Sequence, residues 1–243
     1  MQGILALVAG IAVFSVQDLI LKQLSGNYPL HQAMVLRSLV ALPFHLAIVW
    51  WFDGRLSTIL TPGWRKMLGR GLFGFVAYTA YYLGLATMPM ADTVALFFTG
   101  PLFITIAAAV LLGERVSLTA ASAVAAGFFG VLLIVKPGTA GFEIAALLPV
   151  LGALGYALSM VAARPLGRTE SAAAMAFWGN ACFLLCALVL SAVYGSGTLA
   201  EESHPSLAFL TRGWVTPSGT DLALMAACGL IAAVGLTLLT HAY

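Results

Sequence analysis

The chain has 243 residues, 61% of them hydrophobic and 8% charged, with a mean hydropathy of +1.01. A soluble domain carries about 25% charged residues, so a water-facing globule is excluded, and so is disorder, which needs low hydrophobicity and high charge. A net charge of +2 without any Lys/Arg tract excludes a nucleic-acid binder.

What remains is a polytopic helical membrane protein, since one span takes about 20 apolar residues and the apolar content suits eight spans. Eight apolar segments follow in chain order, at about 3–22, 32–51, 68–86, 91–112, 118–135, 144–163, 172–194 and 222–242. The first has no basic leader and spans the full width, so it reads as a true helix rather than a secretory signal. Residues 53–67 mix Arg55, Arg65 and Lys66 with Leu56, Ile59, Leu60 and Trp64, which suits a short helix on the membrane surface. Residues 195–221 form the long polar loop, with Glu201, Glu202 and Asp221.

Lys/Arg bias sets the orientation. With the N-terminus in the cytoplasm, seven basic residues lie inside (Arg55, Arg65, Lys66, Arg70, Arg115, Arg164, Arg168) and three outside (Lys22, Lys136, Arg212). The N-in topology is favoured, and the acidic loop is then external.

Charge inside a span costs about 2.5–3.5 kcal/mol on insertion scales and marks function by default. In span 1 Asp18 lies one turn before Lys22, near the outer end. Arg37 lies near the outer end of span 2, at matching depth, so an Asp18–Arg37 pair is geometrically feasible. Arg37 would hold a carboxylate or phosphate by its fork of donors, and Asp18 an amine or a coupling proton. The structural alternative is an interfacial Asp18–Lys22 pair. Asp92 opens span 4 from the same side as a gate or a plain helix cap. His45 in span 2 reads as a core histidine or a proton relay.

Aromatic residues form the second candidate. Tyr78 and Tyr82 share a face of span 3 with Tyr81 adjacent, and Phe97, Phe98 and Phe103 flank Pro101 in span 4. Pro101 removes a backbone donor near mid-membrane and can kink the span. An aromatic-lined pocket at Tyr78, Tyr82 and Phe98 would suit an amphipathic or ring-bearing substrate; helix packing is the alternative. In the second half, Trp178 and Asn180 in span 7 join the set, with Thr237 and His241 in span 8. Asn180 is suited to bond a neighbouring helix, and Trp178 also fits an interfacial belt. Glu114 marks the inner end of span 4 as a gate or structural contact.

The chain resembles itself. Leu5, Val8, Gly10 and Leu24 fall on Leu147, Val150, Gly152 and Leu166. Gly71, Leu72, Val76 and Thr79 fall on Gly229, Leu230, Val234 and Thr237, in the same order. A slide of 141 residues sets Ala33-Met34 on Ala174-Met175, and on it Trp178 takes the place of Arg37. The repeat is five spans, an odd number, so the second copy enters the membrane inverted, as in secondary transporters whose substrate sites lie near the midplane. The expected domains are residues 1–138 (spans 1–5) and 139–243 (spans 6–8), an all-α fold of eight helices out of a ten-helix 5+5 design. Tyr243 falls on Leu85, so the second repeat lacks counterparts of spans 4 and 5, and a C-terminally truncated chain is expected.

Ala91-Asp92-Thr93-Val94-Ala95, Gly100-Pro101-Leu102-Phe103 and Leu112-Gly113-Glu114-Arg115 together resemble the fourth-span signature of the EamA-type drug/metabolite transporters. Gly130-Val131 and Lys136-Pro137-Gly138 look like that family's fifth span. Phe14 to Asp18, Lys22 and Arg37 are similar to a bacterial branch of metabolite uptake carriers. The resemblance implies a ten-helix inverted-repeat carrier in the bacterial inner membrane. Its implied substrates are amino acids, nucleotide-like metabolites, vitamins or amphipathic cations.

Hydrolase, metalloprotease and nucleotide-binding motifs are absent, so the expectation is a carrier, neither an enzyme nor an ATP-driven pump. Cys182, Cys186 and Cys228 form no CxxC or metal pattern, and no cofactor or metal is expected. The expected partners are the lipid bilayer, a small-molecule substrate, protons as coupling ion, and either a second copy or the missing C-terminal segment; the Ala123/Gly127 and Ala126/Gly130 face of span 5 is fit for close helix contact. The competing expectation is a non-transporting truncated protein, or a subunit that completes its fold with another chain.

Overall fold

The computed structural model describes residues 2–135 and 144–241, and regular structure among them is entirely helical. The Lys136-Pro137-Gly138 motif and the boundary between the two repeats lie outside the described residues, as do the His241 side chain and Tyr243. The helices are α1 (Gln2–Leu24), α2 (Leu30–Asp53), α3 (Trp64–Thr87), α4 (Met90–Phe97), α5 (Gly100–Leu112), α6 (Leu118–Val135), α7 (Leu147–Leu166), α8 (Ala172–Tyr194), α9 (Pro205–Thr211) and α10 (Gly219–His241). Five stretches among the described residues have the length and apolarity to cross a membrane: Leu30–Asp53, Met90–Leu112, Ile144–Leu166, Ala172–Tyr194 and Gly219–Leu238. The shorter apolar Leu118–Ile134 joins them. α3 has 24 residues, but Arg70, its glycines and its three tyrosines dilute its hydropathy.

The sequence reads three segments more simply than they fold. The fourth span is two helices, because Pro101 falls in the first turn of α5 and has no N–H for the carbonyl of Phe97 four residues back. Thr99 closes the gap locally: its N–H and its Oγ1 both bond the Leu96 carbonyl, at 3.1 and 2.7 Å. Residues 53–67 hold one 3-10 turn, Leu56–Ile59, after which α3 starts at Trp64. The long loop 195–221 contains α9, started by Pro205 and capped by His204.

The chain packs as two compact units, Met1–Leu72 with Ala163–Tyr243, and Phe73–Ala162. In the first unit α2 and α8 lie antiparallel along their length. His31 at the start of α2 meets Ser191 near the end of α8, and Asp53 at the end of α2 accepts from Ser171, the N-cap of α8, at 2.6 Å. α10 runs beside α1 and α2. A Cβ on Gly229 would lie 2.5 Å from the Arg37 carbonyl, so only glycine lets α10 approach α2 this closely.

In the second unit α7 packs on α3 through small residues. A Cβ on Gly152 would come within 2.9 Å of the Ala77 carbonyl, and one on Gly155 within 3.0 Å of the Ala77 nitrogen. α6 approaches α5 at Gly127, where a Cβ would meet Leu102 at 2.6 Å, while Gly130 has nothing within 4 Å. Half of the small face of span 5 is thus used inside the chain.

Candidate functional site

The first unit contains a polar layer inside its apolar helices. Gln17 on α1, Arg37, Ser38 and His45 on α2, and Asn180 on α8 are all buried. The Arg37 side chain is 4% exposed. Its Nη1 makes a long 3.5 Å contact to Gln17 Oε1, and its guanidinium lies over the Phe183 ring, 4.8 Å from the centroid. Asn180 Nδ2 donates to the Ser38 carbonyl at 3.0 Å and ties α8 to α2 beside the guanidinium. Such a charge is tolerated in an apolar interior only where donors, acceptors and ring faces meet it.

Asp18 follows Gln17 and is half-buried, and Lys22 lies in the last turn of α1 with its carbonyl bonded by Ser25. Trp178 lies toward the start of α8, about five residues or 7 Å along the axis from Phe183. Its Nε1 donates to the Ile59 carbonyl at 2.9 Å, and it stacks on Trp64 at 5.8 Å. It therefore fastens the 3-10 turn, and its ring contacts are Trp64 and Phe177.

The N-terminal end of α2 in this unit is strapped by the 212–221 segment. Gln32 exchanges two bonds with Val215, at 2.7 and 3.1 Å. His31 Nε2 meets the Arg212 carbonyl at 3.1 Å, and its Nδ1 accepts from Trp214 Nε1 at 3.2 Å, which requires the neutral tautomer protonated on Nε2. Tyr28 donates to Asp221 at 2.7 Å. Glu201 in the same loop is fully exposed, and hydrogen bonds from Ser203 hold its carboxyl below the usual range.

The second unit holds the aromatic residues. Tyr78 and Tyr82 pack with centroids 4.3 Å apart, Tyr82 meets Tyr81 edge-on at 5.0 Å, Tyr81 meets Phe97 at 4.8 Å, and Phe97 meets Tyr156 at 5.7 Å. Phe98 lies outside this series and is 62% exposed. One residue is 100° of helix, so Phe97 and not its neighbour joins the tyrosines. Asp92 is exposed in the first turn of α4, where its charge complements the helix dipole. Glu114 is exposed after Gly113, whose φ of 69° ends α5, and the Glu114 N–H closes the cap on the Ala108 carbonyl at 3.3 Å. The Gly-Glu pair is a helix stop.

Sequence reasoning missed Gln17, Phe183, Tyr156 and the burial of Arg70. Arg70 is 3% exposed and donates to the Met175 carbonyl at 3.4 Å. Its flanking glycines are the readable signal. A Cβ on Gly71 would lie 2.6 Å from Cys182 Cβ, so α3 closes on α8 there and takes Arg70 with it.

Among known proteins, a riboflavin transporter of Rhizobium johnstonii is 35% identical over 180 residues, 74% of this chain and 53% of that protein. A pseudopaline exporter of Pseudomonas aeruginosa is 26% identical over 95% of this chain and 84% of its own length. An S-adenosylmethionine uptake transporter of Rickettsia felis is 28% identical over 79% and 57%. The chain thus spans little more than half the length of two of these relatives. A solved crystal structure shares the fold, with a TM-score of 0.69 at 20% identity over 99% of this chain and 78% of that one. The names of family and relatives are those of transporters, not enzymes. The EamA-like transporter model matches residues 1–136, more than half of the sequence, and the chain belongs to that family.

Proposed function

We propose that this chain is a secondary carrier of a small polar metabolite in the bacterial inner membrane, working by alternating access between two inverted repeats, with its N-terminus in the cytoplasm. The observation that carries the reading is the burial of Arg37 between Gln17 and Phe183 inside the apolar helices. Arg37 anchors a carboxylate, phosphate or comparably polar group of the substrate. Asp18, one residue past Gln17, takes an amine or the coupling proton. The Tyr78–Tyr82 series of the second unit, with Phe97 and Tyr156, is an aromatic set of its own that offers ring faces. Pro101 lets the fourth span bend, and the discontinuous helix agrees with carriers whose broken spans line the path. The relatives' names make a flavin vitamin and a nucleoside sulfonium the first compounds to try.

The test is flux in proteoliposomes holding the purified chain, with riboflavin and S-adenosylmethionine as separate probes. The reading predicts saturable, protein-dependent flux of at least one, and its loss in Arg37→Ala. Absence of flux with co-purification of a second chain would favour the subunit reading instead.

A further inference from the structure

On α2 the residues Ser38, Ala41, His45 and Val49 are all 0% exposed. Their spacing of three, four and four residues places them on one face, in the helix against which α8 and α10 pack. Two polar groups on that face have no hydrogen-bond partner among the described residues: Ser38 Oγ, and both His45 ring nitrogens. Several other buried polar groups of the unit are met. His31 uses both nitrogens, Gln32 both ends of its amide, and Thr237 bonds the Ala233 carbonyl at 2.7 Å. Orphaned polar atoms in an apolar interior are costly and exceptional. Two at seven-residue spacing on one face, separated by the small Ala41, form a set.

We infer that Ser38 and His45 are a hydroxyl-recognising lane of the substrate site, which continues from Arg37 along α2 toward the cytoplasmic end. This rests on the carrier reading above. A neutral imidazole offers one donor and one acceptor, and a serine hydroxyl offers both. A carboxylate only accepts and an ammonium only donates, so neither satisfies all three atoms. Hydroxyl groups do. Ser38 and His45 are about 10 Å apart along the axis, the reach of a sugar or hydroxylated chain rather than a single water. The occupant is therefore a polyhydroxylated metabolite, with its charged or polar head at Arg37 and its hydroxyls on Ser38 and His45.

The experiment compares wild type, His45→Phe, His45→Gln and Ser38→Ala in two measurements. The first is thermal stability in detergent without ligand. The second is flux of the probe that the wild type carries, against an analogue lacking hydroxyls. Lumiflavin serves for riboflavin, and the 2′,3′-dideoxyribose analogue for S-adenosylmethionine. The lane predicts that His45→Phe is as stable as wild type or more so. It predicts at least tenfold lower kcat/KM for the hydroxylated probe, unchanged flux of the poor, hydroxyl-free analogue, and partial rescue in His45→Gln. Ser38→Ala should shift the same ratio less. Loss of stability in both His45→Phe and His45→Gln would make the histidine a core residue and overturn the inference. Wild-type kcat/KM in a folded His45→Phe would overturn it too, as would equal loss for both members of a probe pair. A wild type that carries neither probe would overturn the carrier reading itself.

Discussion

Asn180 on α8 donates its side-chain amide to the backbone carbonyl of Ser38 on α2 at 3.0 Å, next to Arg37, and both residues are buried. The bond fastens two antiparallel helices at the level where a guanidinium sits in the apolar interior. Replacing Asn180 by Ala leaves that carbonyl without its side-chain donor. The expected cost is about 1–3 kcal/mol, read as a lowered midpoint of thermal unfolding in detergent. An unchanged midpoint would mean that the bond is dispensable.

Glycine 229 gives a second prediction. Its missing Cβ would lie 2.5 Å from the Arg37 carbonyl and 2.7 Å from Val40 Cβ, whereas Gly130 has open space. Gly229→Ala should push α10 off α2 and destabilise by about 1–3 kcal/mol. Gly130→Ala should be neutral or slightly stabilising, since alanine is the better helix former. Matched stability curves of the two variants decide it.

The 212–221 strap makes a third. Gln32 holds Val215 by two bonds. Gln32→Ala should loosen the 212–221 segment around Val215, while His31 and Tyr28 still hold it at Arg212 and Asp221. Limited proteolysis should then cut between residues 195 and 221 several times faster than in wild type. An unchanged cleavage rate would show that the other bonds carry the strap.

Phe97 and Phe98 are a built-in control. Phe97 touches both Tyr81 and Tyr156, and Phe98 is largely exposed. Phe97→Ala should cost about 2 kcal/mol more than Phe98→Ala. Equal costs would remove Phe97 from the aromatic series.

Much of this was legible before any coordinates. Hydropathy marked the long apolar helices because each must present about 20 apolar residues, and Pro101 announced the break in the fourth span. The charge of Arg37 stood out for the same reason that it is costly. The unread parts depend on which face of a helix meets a neighbour. Nothing local separates Phe97 from Phe98, or Gln17 from Gln23, in helices that are apolar almost all round. Arg70 read only as one of the cytoplasmic-side basic residues at the start of span 3, because its burial is created by α8, more than a hundred residues away in sequence. Glu114 read as a gate or a structural contact at a helix end, and its backbone shows a helix stop set by Gly113.

The most direct test of the central claim is flux through Arg37 variants in proteoliposomes, with folding checked by helical content and unfolding midpoint. The account predicts that Arg37→Ala stays folded and loses at least tenfold in kcat/KM, and that Arg37→Lys recovers part of it as a point charge without the planar fork. Wild-type flux in a folded Arg37→Ala would contradict the account and take the substrate site away from the polar layer of α1, α2 and α8.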